Sequence, residues 1–133
     1  MHNHRFLHNV KRHKEPEWLT QKIPAGENFT EVICDAATEE KEMICKLTMD
    51  TFIDFIAREA NSLVLKLKAT GGLIIGGEIP ISIKNYIDKD KFYKKFIISD
   101  KMEGLLKDVN IYFLLNEKTI ASGAAYYGAF HVN

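Results

Sequence analysis

At 133 residues the chain has the length of one domain, able to bury roughly two thirds of the surface its unfolded form exposes. With 46% hydrophobic and 27% charged residues the composition is globular, and 18 basic against 18 acidic residues leave no net field to attract nucleic acid or an anionic membrane. No apolar run approaches a membrane span, and Met1-His2-Asn3-His4-Arg5 lacks the apolar core of a signal peptide.

Cys34 and Cys45 fit reduced, buried thiols better than a disulfide framework, so the expected location is the cytoplasm. No further Cys or paired His completes a zinc site. His2, His4, His8 and His13 crowd the first residues without carboxylate or thiol companions. A solvated terminal helix explains them better than a metal site. Residues 1–14 thus read as an extension or frayed helix, and residues 15–133 as a single domain.

Glu15-Pro16-Glu17-Trp18-Leu19 looks like a helix start, with proline in the first turn and carboxylates near the positive dipole end. Trp18 reads as a packing anchor. Pro24-Ala25-Gly26 breaks that helix, and Glu27 to Ala36 forms a short one, with Phe29, Val32, Ile33 and Ala36 at helical spacing. A long helix follows. Thr38 is a plausible N-cap with Glu39 and Glu40 behind it, and apolar residues recur with a helical period from Met43 to Leu67. A helix from Thr38 to about Lys68 is on the order of 45 Å long. It needs a large body to pack on, or a break near Thr48 to Asp50, and Gly71 is its expected stop.

Between the glycine pairs Gly71-Gly72 and Gly76-Gly77, Leu73 to Ile75 reads as a parallel strand buried on both faces. Gly76 and Gly77 tolerate positive φ and let a ligand approach the backbone. Pro80 suits the first turn of a following helix. Strand, glycine turn and helix start together make a common seat for a nucleotide. An ordinary corner with glycines for packing accounts for the same residues equally well.

Ile81, Ile83, Tyr86 and Ile87 continue that helix, and Asp90 to Ile98 gives the next. Asp100 can cap another through Met102, Leu105 and Leu106. Asn110 to Leu115 reads as a second strand, β-branched and aromatic. The closing helix, Ile120 to Phe130, is dense in alanine and glycine, which predicts close packing against its neighbours; Tyr126 and Tyr127 sit on its rim. The expected class is α/β with few parallel strands flanked by helices. Two strands leave open edges, which predicts either earlier strands upstream, a partner chain, or a homo-oligomer.

From Glu15 to Phe130 the sequence resembles the C-terminal part of the bacterial-type glucokinase family. The segments that carry the likeness are Gly71 to Pro80, Phe92-Tyr93-Lys94-Lys95-Phe96, Asp100 to Val109, and Ala121-Ser122-Gly123-Ala124-Ala125-Tyr126. The related sugar-kinase and repressor group shares some of the glycine pattern. The resemblance implies the distal half of an actin-like ATPase (ribonuclease H-like) domain. It also implies a glucokinase reaction, phosphoryl transfer from ATP with Mg to glucose, giving glucose 6-phosphate. By the resemblance Gly76 and Gly77, with Glu78 and Ile79 on the far side, hold the adenosine part of ATP, and Gly123 borders the same cleft.

Glu78 departs from the family pattern, standing where many relatives carry an apolar residue, and Asn110 stands where proline is frequent. The family's Asp-Gly phosphate turn, its catalytic aspartate and its glucose-gripping residues have no match. Asp50, Asp54, Asp88 and Asp90 read as solvated helix-face residues rather than a catalytic base. The sequence therefore assigns no catalytic and no metal-binding residue, and predicts a chain inactive on its own. A non-catalytic nucleotide-binding or interaction module is the alternative.

Overall fold

A computed structural model describes residues 17–18, 29–39 and 42–131. The histidine cluster, the Pro16 helix start and the Pro24-Ala25-Gly26 break lie outside the described residues. Among those described, the order is α1 (Phe29–Thr38), α2 (Met43–Leu67), β1 (Leu73–Ile75), α3 (Glu78–Ile83), α4 (Lys89–Phe96), α5 (Glu103–Lys107), β2 (Ile111–Phe113) and α6 (Thr119–His131).

The organising element is α2. Its buried residues, Ile44, Cys45, Thr48, Met49, Ile53, Ala57, Ala60 and Val64, recur every three or four positions and form one stripe. At 25 residues it is about 37 Å long and unbroken. Of the two alternatives, a large body to pack on or a break near Thr48 to Asp50, the break does not occur. The Thr48 hydroxyl donates to the Ile44 carbonyl at 2.7 Å, and Thr51 does the same to Leu47 at 2.7 Å, so these polar groups are satisfied inside the helix. Trp18 packs on the core as expected, and its indole N–H donates to Glu42 Oε1 at 3.0 Å just before α2 begins.

Two helix-end expectations are corrected. Thr38 ends α1 instead of starting α2, because its hydroxyl donates back to the Cys34 carbonyl at 2.8 Å. At the other end α2 stops at Lys68, which adopts the left-handed conformation (φ 50°, ψ 43°) and donates its N–H to the Val64 carbonyl. Gly71 lies beyond, in the turn. The glycine that the geometry requires is Gly72: its φ is +123°, and a Cβ there would sit 3.2 Å from the Asn110 carbonyl oxygen.

β1 and β2 pair in parallel, with Leu73 opposite Ile111, Ile74 opposite Tyr112 and Ile75 opposite Phe113. Leu73, Ile75, Ile111 and Phe113 pack against the core, and Phe113 meets Phe92 of α4 edge to face at 5.1 Å. Ile74 and Tyr112 are 69% and 56% exposed. The sheet is thus covered on one face and bare on the other, which corrects the expectation of strands buried on both. An apolar run is consistent with burial on two faces, but burial also requires a second layer, and among the described residues none lies over that side.

Asp88, read from the sequence as a solvated helix-face residue, is the N-cap of α4: its side chain accepts from the N–H groups of Asp90 at 3.0 Å and Lys91 at 3.1 Å. Asn61 of α2 donates to the carbonyls of Phe96 and Ile98, closing the other end of α4. Asp100 does not cap α5; the residue before that helix is Met102, whose N–H donates to Ser99 Oγ at 3.2 Å. No residue of α6 is buried. Its small residues do not mediate the predicted packing, because the chain leaves β2 without laying this helix against another described element.

A glycine corner beside an apolar groove

The predicted corner is present. β1 ends at Ile75, Gly76 and Gly77 follow, and α3 starts at Glu78 with Pro80 as its third residue. Gly77 has φ 107° and ψ −165°, a region that is essentially restricted to glycine. A Cβ on Gly77 would meet no atom within 4 Å, so backbone conformation, not crowding, requires glycine there. At Gly76 a Cβ would touch Leu114 Cδ2 at 3.4 Å. The main chain at Gly77 is therefore open to an approaching group.

Glu78 and Ile79 are exposed on the outer side of the turn, and Pro80 is buried beneath it. α3 is only six residues long and proline removes one N–H from its first turn, so the corner offers few free donors and a small helix dipole. Cys34 Sγ donates to the Ser82 carbonyl at 3.3 Å and ties α3 to α1; burial pushes its thiol pKa up.

A groove of about 490 Å³ runs from the corner along β1 and the flank of α2. Leu73, Ile74, Ile75 and Gly76 form one wall; Phe55, Ile56, Glu59, Ala60 and Leu63 form the other. Glu59 is the single charged residue lining it. Such a surface suits a flat, weakly polar group lying on backbone and aliphatic side chains. Phe55 and Leu63 belong to the periodic apolar set read from the sequence, but they line this groove instead of the core. Their spacing with Glu59 (positions 55, 59 and 63) marks a second helix face, one turn apart each time, which is the signal that could have separated them from the buried stripe.

Gly76, Gly77, Glu78 and Ile79 are contiguous at the corner. Gly123 lies on α6, where a Cβ would meet nothing within 4 Å, and it does not line the groove. The aspartates lie elsewhere. Asp50 accepts from the Tyr86 hydroxyl at 2.7 Å, Asp54 pairs with Lys95 at 2.8 Å, and Asp88 caps α4. The three share a separate cavity of about 540 Å³ with Lys46, Lys91, Lys94 and Lys95. The backbone N–H of Lys91, first, and then that of Asp90 hold the Asp88 carboxyl below its ordinary pKa, against an opposing desolvation effect. Among the described residues, no group of three or more His, Cys, Asp or Glu is placed to hold a metal ion, and no helix is long and apolar enough to cross a membrane.

Comparison with known proteins gives a consistent result. A family model described as Glucokinase matches residues 4–131. The chain is similar to a glucokinase of Nostoc punctiforme, with 34% identity over 90 residues, covering 68% of this chain and 26% of that protein. It is 29% identical over 114 residues to a glucokinase of Synechocystis, covering 86% of this chain and 30% of the relative. A glucokinase of Neisseria meningitidis is 28% identical over 105 residues, covering 79% and 32%. The matched regions are the C-terminal parts of these relatives, and the chain spans about a quarter to a third of their length. No solved structure matches the chain. With nearly its whole length matched, this helix-rich α/β chain belongs to the glucokinase family.

Proposed function

We propose that this chain acts as the C-terminal portion of an ATP-dependent glucokinase and supplies the adenosine side of its ATP site. The observation that carries this reading is the open Gly76-Gly77 corner at the end of an apolar groove, in a chain aligned to glucokinases over residues 4–131. Adenine would lie in the groove against Ile74 and Phe55, and the ribose against the main chain at Gly77, where no side chain intervenes. Glu78 and Ile79 would border the outer side, with the Glu78 carboxylate turned to ribose hydroxyls or solvent. The fold proposed for the whole enzyme is the actin-like ATPase domain, of which these strands are a distal pair.

Phosphoryl transfer requires both substrates to be held in line and the developing charge to be neutralised. Asp50, Asp54 and Asp88 are occupied by Tyr86, Lys95 and the α4 cap, and none of the three lines the groove. Catalytic base, glucose contacts and the residues around magnesium are therefore assigned to the upstream part of a complete glucokinase. Magnesium would neutralise charge on the phosphates there.

The test uses two readings of the same purified chain. An ATP analogue raises its melting temperature, whereas glucose with ATP gives no ADP release until the upstream part of a glucokinase is added. Absence of any shift with saturating ATP analogue removes the adenosine-site reading. ADP release dependent on glucose from the chain alone removes the assignment of the chemistry to the upstream part.

A further inference from the structure

Glu59 is the single charged residue in a groove whose lining is otherwise aliphatic side chains, alanine, glycine and Phe55. It is exposed, and it makes no hydrogen bond or ion pair with another described residue. Asp50, Asp54 and Asp88 each have a partner. An ionised carboxylate accepts hydrogen bonds and donates none, so it suits an N–H or O–H on an otherwise flat, weakly polar ligand.

Its place along the groove fixes which part of a ligand it meets. The chain turns between Lys68 and Gly72, where the Gly72 N–H donates to the Ala69 carbonyl at 3.4 Å, and β1 and α2 then line one groove. β1 therefore runs back along α2, with Leu73 on the side of Leu63 and Gly76 on the side of Phe55. Glu59 lies between those ends, four residues and about 6 Å along the helix axis from Phe55. A nucleoside seated with its ribose at Gly77 and its base against Phe55 and Ile74 turns the far edge of the base towards Glu59. In adenine that edge carries the 6-amino group.

We infer that Glu59 is the residue that selects the base, accepting a hydrogen bond from that amino group, and that the ligand class is a 6-aminopurine nucleotide. The inference rests on the adenosine-site reading and adds specificity to it. Apolar walls hold any flat base. A carboxylate among them penalises a base that presents no N–H, because it then loses water without gaining a partner.

Purine riboside 5′-triphosphate keeps the ribose and phosphates of ATP and lacks only the 6-amino group. Isothermal titration of the purified chain with the two nucleotides, in wild type and in Glu59→Leu, isolates the contact. Wild type should bind ATP at least about 10-fold more tightly, the size of a hydrogen bond to a charged group at a partly solvated site. In Glu59→Leu the two should bind within about 2-fold of each other, because ATP loses its acceptor while affinity for the analogue does not fall. Retained analogue binding, with circular dichroism matching wild type, identifies the leucine variant as folded. Equal affinities in wild type overturn the inference and leave the adenosine site standing, and a preference that persists in Glu59→Leu does the same. A leucine variant that binds neither nucleotide gives Glu59 a structural role and overturns its part in selection. Binding of neither nucleotide by wild type removes the adenosine site and this inference together.

Discussion

At the scale of single residues, backbone conformation separates glycines that look alike in the sequence. Gly72 combines φ +123° with a carbonyl 3.2 Å from where its Cβ would be, whereas Gly71 has neither a positive φ nor a neighbour within 4 Å. Gly72→Ala should therefore cost about 1–3 kcal/mol and Gly71→Ala less than about 0.5 kcal/mol, read from urea denaturation midpoints. Equal effects would show that Gly72 is not held in this conformation. Asp88 makes a second prediction. Its folded pKa is lowered, first by the backbone N–H of Lys91, so its ionised form favours the folded chain. The stability difference between wild type and Asp88→Ala should be fully present above the ordinary aspartate pKa of 3.8 and shrink as pH falls through the lower folded value. A difference that stays constant from neutral pH to below that range would contradict the cap.

At the scale of elements, α2 determines where α4 sits, and Asn61 is the residue that fastens the two. Its side chain donates to the carbonyls of Phe96 and Ile98, and Phe96 is fully buried. Asn61→Ala would leave a buried carbonyl without its donor and should cost about 1–3 kcal/mol. The nearby Lys95–Asp54 pair is partly exposed on both sides, so Lys95→Ala should cost less, about 0–1 kcal/mol, and that cost should fall with salt. Chemical denaturation of the two variants side by side checks the order. Were Lys95→Ala the more damaging, the α2–α4 junction would depend on charge and not on the satisfied carbonyls. Each of these helices owes its place to a specific partner, and α6 is the exception.

At the scale of the whole molecule, the uncovered surfaces lie beside β1 and along α6. The core extends along α2 through Ile83, Phe92, Phe96, Leu106 and Val109, and one face of the sheet closes on it. Among the described residues nothing covers the other face or α6, which leaves them open to the homo-oligomer expected from the open strand edges. The melting temperature should then rise with chain concentration, because association that favours the folded chain stabilises it by mass action. A melting curve unchanged over about a hundredfold range of concentration would mean that the chain is stable without covering those surfaces.

Much of the architecture follows from local pattern. The period from Ile44 to Val64 makes α2 a helix and the Gly76-Gly77-Glu78-Ile79-Pro80 order places a corner after a strand, because each rests on interactions within a few residues; the Asp88 cap of α4 is equally local but reads from the sequence as a solvated helix face. The glycine corner, and with it most of the candidate site, was legible for the same reason. Which face each element presents was decided only in three dimensions. Phe55 and Leu63 share the helical period of the core residues yet line an open groove, and the apolar strand at Ile74 has one bare side. Burial depends on what lies opposite, and nothing in a single stretch of sequence records whether an opposing layer is present. The same holds for α6, whose small, uncharged residues predicted close packing although none of them is buried.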